Sequence, residues 1–600
     1  MCGISGLLNF TDRNIDADKI IREIIKIQDF RGPDDNGKWK SSCGKVLFGH
    51  NRLSIIDLTL RGKQPFISID NNFTITFNGE IYNYKEIKNE LISKKIKFKS
   101  DTDTEVIIEA YKFWGLEFLQ KLRGMYAFGI WDNKNKKLIL ARDAFGIKPL
   151  YYSFKNGVCY FASQVKSFRA VNDISSSKSE AGIVSFFMWG HIQEPYTIYR
   201  DIKSLDKGSC LIIEINGNTK NIKFADIKRE IIEANDLKFN NHNEKIEFLK
   251  ESVEETVKYH QISDVPITFL LSSGIDSSTI VSSIKNKENC NALTLDLDAD
   301  NFEYDEKFLA KKTANLNSIP HVIEKISLNE VKFLIDQFFK NMDQPSNDGL
   351  NSFLISHIAK KELNSKVVIS GVGGDEFFFG YPSFERINKI NNIMKFIPNL
   401  KIVDDFFKKF LYSFLKRKKL NTKISGIYSY GRNLENTFLL QRSAFLEHEF
   451  EEMISPETFK RGLEEIDMGT QLKQDIKEIK NTKLSIMYLE IKYYLCSKLL
   501  KDLDWTSMYN SIEMRTPLVD FFFFKKILPL LKFNNDIGKK SLLDIVKPKV
   551  PKELYNRKKT GFGIPHRKYL NIYSGKKINY QNSLKDWSIL SYKKYIENNF

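Results

Sequence analysis

The second residue of the chain is a cysteine, and its position makes it a candidate nucleophile. Removal of the initiator methionine would leave Cys2 at the N-terminus, with a free α-amino group beside its thiol. An α-amino group has a pKa of about 7.7–8.0, so near neutral pH part of it is unprotonated and accepts the thiol proton, directly or through water. Cys2 then needs no histidine partner to attack a carbonyl carbon. The alternative is an ordinary cysteine on an opening strand.

Five short fragments downstream favour the nucleophile. They are Arg-Gly-Pro-Asp-Asp at 31–35, Arg-Leu-Ser-Ile-Ile-Asp at 52–57, Gln-Pro at 64–65, Asn-Gly-Glu-Ile-Tyr-Asn at 78–83 and Ser-Asp-Thr-Asp-Thr-Glu at 100–105. Each is weak alone, since Asn-Gly most often forms a hairpin turn and Arg-Gly-Pro a loop. In this order behind Cys2, they resemble the class II glutamine amidotransferases, whose glutaminase domain is an N-terminal-nucleophile (Ntn) hydrolase. One departure is Phe30, where relatives commonly place a histidine that is not the base.

The resemblance implies a role for several of these residues. The side-chain amide of Asn78 and the backbone N–H of Gly79 would form the oxyanion hole for a tetrahedral intermediate. Arg52 would hold the α-carboxylate of glutamine, while Asp103 and the Glu80 region would meet its α-ammonium group. The products would be a thioester on Cys2 and free ammonia.

A second group of small polar residues lies near the middle of the chain. The apolar run 266–271 ends in Ser272-Ser273-Gly274-Ile275-Asp276-Ser277 and is followed by a helical pattern. This order predicts a strand, a tight loop and a helix N-terminus, where backbone N–H groups and the helix dipole bind phosphate. By itself such a turn is more often a plain helix cap. The loop resembles the Ser-Gly-Gly-x-Asp-Ser pyrophosphate loop of the ATP pyrophosphatases, with Ser273 adding a hydroxymethyl group in place of the first glycine.

The resemblance extends to a second loop, Ser370 to Glu376, which follows the apolar strand 367–369. Asp375 would join Asp276 in binding Mg²⁺, which prefers hard oxygen ligands shared with phosphate groups. Lys559, in the Lys-Thr-Gly-Phe-Gly-Ile-Pro segment at 559–565, would stabilise charge that develops during the reaction. Residues 552–566 are the expected mobile lid. The implied ATP-binding residues are Leu271, Ser272, Ser273, Gly274, Asp276, Ser277, Leu295, Ser370 and Gly371.

The whole chain resembles the glutamine-hydrolysing asparagine synthetase family. That resemblance implies that ATP adenylates an acceptor carboxylate, and that ammonia from Cys2 crosses an internal passage and displaces AMP. Aspartate is the family's default acceptor. However, Val372 stands where asparagine synthetases usually carry a glutamate, and this version of the loop resembles amidotransferases for other carboxylates, including uronic acids of bacterial surface polysaccharides.

Three other classes of function are less consistent with these residues. A phosphoribosyl-type amidotransferase would lack the pyrophosphate loop. A synthetase of the β-lactam kind would need no working glutaminase. A non-catalytic scaffold or nucleotide sensor would have lost one of Cys2, Asp276, Asp375 and Lys559, and all four are present.

The two groups of candidate residues require two separately folded domains to position them. With 600 residues the chain should form two or three cores. We expect an α/β protein: a layered αββα Ntn glutaminase at 1–215, with helices near 17–30, 84–95 and 102–122, then a turn-rich linker at 216–243. Residues 244–600 would form a doubly wound parallel-sheet ATP-pyrophosphatase domain with a helical C-terminal part.

Composition and charge indicate the compartment and the kinds of partner. Six scattered cysteines, no charged and apolar leader and no apolar run of membrane length predict reduced thiols in a cytoplasmic protein without stable membrane insertion. The net charge of +17 is spread along the chain, which favours small-molecule substrates over nucleic acid. A basic amphipathic helix near 403–419 could contact a membrane or a partner, but we expect it to pack on its own domain. A homodimer is an expected assembly, because the family commonly forms dimers.

Overall fold

The computed structural model describes residues 2–297, 305–557, 566–574 and 583–600. The strands are β1 Gly3–Asn9, β2 Asp35–Lys40, β3 Val46–Arg52, β4 Phe66–Ile67, β5 Phe73–Ile81, β6 Gly124–Asp132, β7 Lys137–Arg142, β8 Tyr151–Lys155, β9 Val158–Ala162, β10 Lys203–Ser204, β11 Ser209–Glu214, β12 Thr219–Lys223, β13 Ile267–Leu270, β14 Cys290–Leu297, β15 His321–Ile326, β16 Val367–Ile369 and β17 Glu513–Arg515.

The helices are α1 Ala17–Ile27, α2 Tyr84–Ser93, α3 Asp103–Trp114, α4 Glu180–Trp189, α5 Ile227–Glu233, α6 His242–His260, α7 Ile275–Ser282, α8 Asp305–Leu316, α9 Leu328–Asn341, α10 Leu350–Leu363, α11 Gly374–Phe377, α12 Ser383–Met394, α13 Lys401–Phe406, α14 Tyr412–Arg417, α15 Ile427–Tyr430, α16 Leu434–Arg442, α17 Pro456–Ile466, α18 Met468–Ile476, α19 Thr482–Leu489, α20 Lys501–Tyr509, α21 Phe521–Phe533, α22 Ser541–Asp544, α23 His566–Ser574 and α24 Ser583–Asn599.

The N-terminal region consists of two six-stranded antiparallel sheets between helices. Their strand orders are β10-β8-β9-β1-β3-β2 and β12-β11-β7-β6-β5-β4. Along β6, Ala127 and Trp131 pack between the sheets, while Tyr126, Phe128 and Ile130 face a second core with α2 and α3. Because successive side chains of a strand point to opposite faces, a strand covered on both sides is apolar at nearly every position. The layered αββα prediction is confirmed.

The predicted N-terminal helices form α1, α2 and α3. The side chain of Asp16 caps α1 by accepting a hydrogen bond from the Lys19 N–H at 3.0 Å, and Ile21 and Ile24 are buried. Thr102 caps α3, which ends at Trp114 because Gly115 has a φ of 56°. A 3₁₀ turn, Gly115–Gln120, accounts for the rest of the predicted stretch.

The segment that the sequence predicted as a linker carries structure of its own. Asn216 and Gly217, which has a φ of 91°, form the turn of a hairpin, and β12 pairs antiparallel with β11. Asn-Gly between two strands is a strong hairpin signal, so β12 completes the second antiparallel sheet. Helix α5 follows, and α6 begins at His242.

The C-terminal region contains a five-stranded parallel sheet in the order β15-β14-β13-β16-β17. From β13 the chain proceeds outward through β14 and β15, then returns to the other side of β13 with β16 and β17. The strand order therefore reverses between β13 and β16, and ligands of open α/β sheets bind at the carboxyl ends of strands at such a point. The doubly wound prediction and the helical C-terminal part are confirmed.

The basic helix expected on its own domain packs there on one side. Leu415 is buried, and the Phe407 ring lies 5.4 Å from that of Tyr428. Phe406, Phe410 and Phe414 on the same helix are more than half exposed, so the described part of the domain leaves that face uncovered. Within the described ranges, no helix combines the length and the apolar character needed to cross a membrane.

Candidate active sites

Cys2 lies at the start of β1 and is buried, with 7% of its surface exposed. Its main-chain nitrogen donates a hydrogen bond to Asn78 Oδ1 at 3.0 Å, and its thiol sulfur accepts one from the Leu53 N–H. Burial raises the pKa of the thiol above its ordinary value, so a base beside the sulfur is needed at neutral pH. The pairing of Gly3 with Asn51 between β1 and β3 brings Arg52 beside Cys2.

Asn78 and Gly79 lie side by side on β5. The bond from Cys2 fixes the Asn78 amide with its oxygen toward the main-chain nitrogen. The buried Asn78 Nδ2 donor has no hydrogen-bond partner in the part of the chain that the structure describes. Gly79 has a φ of 153°, and a Cβ atom there would lie 2.2 Å from the Met125 carbonyl oxygen, so only glycine fits. Asn78 therefore holds a donor close to Cys2 that no described residue uses.

Arg52 and Asp103 are the two charged residues predicted to hold the ends of glutamine. Arg52 donates to the carbonyl oxygens of Thr59, at 2.9 Å, and Asp57, and it forms no ion pair within the described residues. Asp103, the first residue of α3, accepts the Ile81 N–H at 3.1 Å. Burial raises the pKa of Asp103 to about 6, although the Ile81 hydrogen bond opposes the shift. Such a pair suits a zwitterionic ligand with one carboxylate and one ammonium group.

The Glu80 carboxylate lies against the other region of the chain. Its Oε2 is 3.2 Å from Nη2 of the fully buried Arg515, which also pairs with Glu513 and donates to the His260 carbonyl oxygen. Burial, followed by the nearby Asp103 charge, raises the pKa of Glu80 well above its ordinary value. Its side chain therefore belongs to the contact between the two regions.

A second buried contact begins at Cys2 itself. Arg31 Nε donates to the Cys2 carbonyl oxygen at 3.2 Å, and its Nη1 lies 2.9 Å from Asp504 Oδ2. Lys148 lies 3.5 Å from the other oxygen of Asp504. Beside them is a cavity of about 10 Å³, lined by residues of both regions that include Arg31, Gln164, Asp343, Asp502 and Trp505. That volume holds about one small molecule of the size of water.

At the second site, the predicted phosphate loop connects β13 to α7. Ser277 Oγ accepts the Ser272 N–H at 3.1 Å, and Ser272 Oγ accepts the Gly274 N–H at 3.0 Å. Ser273 is buried within this turn, and its carbonyl oxygen accepts Arg557 Nη1 at 3.0 Å. Leu295 lies on the neighbouring β14, two residues beyond the pairing of Leu270 with Leu293. The predicted ATP-binding residues therefore meet at the strand ends.

The loop after β16 packs directly on the first one. A Cβ atom at Gly374 would lie 2.0 Å from Asp276 Oδ1, and one at Gly371 would lie 3.0 Å from the Ser277 nitrogen. Gly373 has a φ of 104°. The glycines thus permit two loops to approach at the point where the strand order reverses. In this loop Val372 is half-buried, and burial raises the pKa of Glu376, which accepts the Tyr381 hydroxyl at 2.6 Å, to about 7.

Lys539 links the two predicted magnesium ligands, and no local sequence pattern distinguishes it from other lysines. Its Nζ forms ion pairs with Asp276 and, at 2.7 Å, with Asp375 Oδ1. Burial opposes the charged form, but the two carboxylates outweigh it and raise the pKa of Lys539. The site therefore brings two carboxylates to one cation. Lys559 and most of the predicted lid, 558–565, lie outside the described residues.

Comparison with known proteins divides the chain in the same way. Residues 1–224 match the family model for a glutamine amidotransferase domain, and residues 249–582 match that for asparagine synthase. Glutamine-hydrolysing asparagine synthetase 1 of Bacillus subtilis is 30% identical over 588 residues, which cover 95% of this chain and 88% of that protein. The B. subtilis protein numbered 3 of the same name is 24% identical over 586 residues, covering 94% and 87%.

A further relative has another name. Amidase chry2 of Gibberella zeae is 29% identical over 413 residues, which cover 64% of this chain and 60% of that protein.

Proposed function

The chain belongs to the glutamine-hydrolysing asparagine synthetase family, and we propose that it converts L-aspartate to L-asparagine, with release of glutamate, AMP and pyrophosphate. The observation that supports it is Arg31, which joins the Cys2 carbonyl oxygen to Asp504 of the C-terminal region through a buried ion pair. Glutamine and ATP are the other substrates.

In the glutaminase reaction, the Cys2 thiol attacks the side-chain amide carbon of glutamine. The α-amino group of Cys2 takes the thiol proton and returns a proton to the departing nitrogen, so ammonia leaves and a thioester remains. Asn78 Nδ2 and the Gly79 N–H bind the oxyanion of each tetrahedral intermediate. Water then hydrolyses the thioester to glutamate. The Nδ2 donor of Asn78, which has no partner in the described part of the chain, supports this assignment.

Arg52 and Asp103 hold the amino-acid end of glutamine. The guanidinium of Arg52, which forms no ion pair in the described ranges, takes the α-carboxylate. Asp103 in its ionised form takes the α-ammonium group. The backbone beside Glu80 completes the pocket, while the Glu80 carboxylate stays with Arg515.

In the synthetase reaction, ATP occupies the loops after β13 and β16. An oxygen of the acceptor carboxylate attacks the α-phosphorus, the α–β phosphoanhydride bond breaks, and pyrophosphate leaves with its electrons. Asp276 and Asp375 fit a magnesium ion, because both carboxylates converge on one cation and magnesium prefers hard oxygen ligands. Magnesium bound there would offset the negative charge of the triphosphate. Lys539 and, we propose, Lys559 add positive charge at the phosphates.

Ammonia then attacks the acyl carbon of the adenylate. The nitrogen–carbon bond forms, the acyl–oxygen bond to AMP breaks, and the nitrogen loses a proton. The cavity beside Arg31 and Asp504 is lined by residues of both regions, and its volume suits one small neutral molecule such as ammonia. Keeping ammonia inside the protein raises its effective concentration and excludes water from the acyl-AMP.

Val372 favours an alternative acceptor carboxylate. A valine side chain neither transfers a proton nor binds the ammonium group of aspartate. A uronic acid carries ring hydroxyl groups and no ammonium group, so its binding needs no ammonium-binding residue at this position. The alternative function is therefore amidation of a uronic acid in bacterial surface polysaccharide.

Pyrophosphate release with ATP, magnesium and glutamine distinguishes these acceptors. L-aspartate should be compared with free uronic acids and with nucleotide-linked uronates. Release that depends on aspartate, with asparagine formed, supports the proposal. Release with a uronate alone would replace aspartate as the acceptor while leaving the amidotransferase chemistry in place.

A further inference from the structure

An exposed row of apolar side chains runs along one helix of the C-terminal region. Helix α13, the π-helical stretch Phe407–Leu411 and α14 form one continuous helix. Ile402, Phe406, Phe410 and Phe414 follow one another every four residues and are 85%, 53%, 70% and 54% exposed. The rings of Phe406 and Phe410 stack on each other, with centroids 5.8 Å apart. We call these four residues the outer row.

The opposite side of the helix holds it on the protein. Leu415 is buried at 5% exposure, Phe407 contacts the Tyr428 ring, and Val403 and Leu411 are half-buried. Asp404 accepts the Ser429 hydroxyl and pairs with Lys408 at 2.7 Å. These contacts account for the inner side chains. They leave the outer row without a role in the core.

The apolar exposure is concentrated in this part of the surface. Ten of the 25 exposed large apolar residues in the described ranges lie between 393 and 424. Ile393, Phe396 and Leu400, at 64%, 80% and 56%, precede the helix directly. Single exposed apolar residues are ordinary, but a concentrated group marks an interaction surface.

The charge around the outer row is mainly positive. Residues 389–424 contain ten Lys or Arg and two Asp or Glu. Since Asp404 is engaged with Ser429 and Lys408, Asp405 is the exposed acid of this segment. Lys401, Lys409 and the run 416–419 are exposed beside the row.

We propose that this helix docks the enzyme on the surface of an anionic phospholipid membrane. A convex row of aromatic rings flanked by lysines matches an interfacial helix, whose apolar face enters the headgroup boundary while its basic residues bind lipid phosphates. Two copies meeting across a two-fold axis would bring the same lysines together, so charge opposes self-association through this face. The proposal is independent of the acceptor's identity.

Co-sedimentation with vesicles tests this docking. The full chain should sediment with vesicles that contain phosphatidylglycerol and not with pure phosphatidylcholine, and added salt should release it. Phe406→Asn with Phe410→Asn should weaken binding at least tenfold. Lys416→Gln, Arg417→Gln and Lys418→Gln together should weaken it by roughly fivefold per basic residue.

Matched controls distinguish the outer row and its flanking basic residues from other exposed aromatic and basic residues. Phe308→Asn with Phe333→Asn changes two rings that are 53% and 59% exposed elsewhere, and Lys94→Gln with Lys97→Gln removes exposed lysines from the N-terminal region. Both controls should bind vesicles like the wild type, and all variants should keep glutaminase activity. The proposal would be overturned if the variants at Phe406 and Phe410 or at 416–418 sedimented like the wild type. Equal binding to neutral vesicles would also overturn it. Conversion of a dimer to a monomer by these same variants, measured by light scattering, would overturn it too.

Discussion

The main-chain nitrogen of Cys2 lies 3.0 Å from Asn78 Oδ1, a contact between residues 76 positions apart. The other end of the amide, Nδ2, is buried and has no hydrogen-bond partner among the described residues. In the proposed mechanism, one side chain thus orients the α-amino base and supplies an oxyanion donor.

Asn78→Ala removes both contributions. We expect kcat for glutamine hydrolysis to fall by about 10²–10³, because a preorganised oxyanion donor is lost. Amidation driven by added ammonia should keep the wild-type rate. Asn78→Asp, which keeps the shape and loses the Nδ2 donor, should show the same loss. Wild-type glutaminase kinetics in either variant would contradict the oxyanion assignment.

Cys2→Ala removes the nucleophile without disturbing the second site. Glutamine-dependent amidation should disappear, while ammonia-dependent amidation should persist, since ammonia added to solution reaches the acyl-AMP without the thioester. Amide formation with each nitrogen source is the measurement. Loss of both activities would put the two-site mechanism in doubt.

The raised pKa of Asp103 predicts an acid limb in glutamine use. Below a pH of about 6 the carboxyl group is protonated and no longer attracts the α-ammonium group, so kcat/KM for glutamine should fall about tenfold per pH unit. Bound glutamine favours the ionised form, so the limb of kcat should lie at lower pH. Asp103→Asn should raise KM and remove the limb. A limb near pH 4 in the wild type would contradict the assignment.

Asp276→Ala and Asp375→Ala each remove one proposed magnesium ligand. Pyrophosphate release should be abolished in both variants, because ATP loses its metal partner and Lys539 loses a counter-charge. Glutaminase activity should be unchanged. Pyrophosphate release at the wild-type rate in either variant would eliminate the magnesium assignment.

Lys539→Met leaves Asp276 and Asp375 facing each other without their shared cation. We expect pyrophosphate release to fall by about 10²-fold, because a fixed positive charge at the phosphates is lost. Lys540→Met is the matched control, since Lys540 is adjacent and exposed. Equal rates in the two variants would remove Lys539 from the reaction.

The sequence was informative where function depends on short contiguous fragments. Asn78, Gly79 and the loop at 272–277 could be located because each lies in a stretch whose residue types suit one chemistry. Local patterns indicated single strands and helices, whereas the αββα and doubly wound arrangements came from the family resemblance. The Asn-Gly pair at 216–217 also indicates a hairpin turn, but from the sequence alone we interpret this stretch as part of a linker.

The remaining contacts join residues that no local pattern connects. Arg31 and Asp504 are 473 positions apart, and Glu80 and Arg515 are 435 apart. Lys539 is one of 92 basic residues, and its partners become visible only when β13 and β16 lie side by side. The exposure of the outer row likewise depends on which side of its helix the domain covers.

Transfer of nitrogen from glutamine to the acceptor tests the central claim most directly. The wild-type protein should be incubated with amide-¹⁵N-labelled glutamine, ATP, magnesium and L-aspartate or a uronate. We predict ¹⁵N in the new amide, with one AMP and one pyrophosphate formed per label transferred. Hydrolysis of glutamine without AMP, pyrophosphate or labelled amide, whichever carboxylate is supplied, would contradict the account.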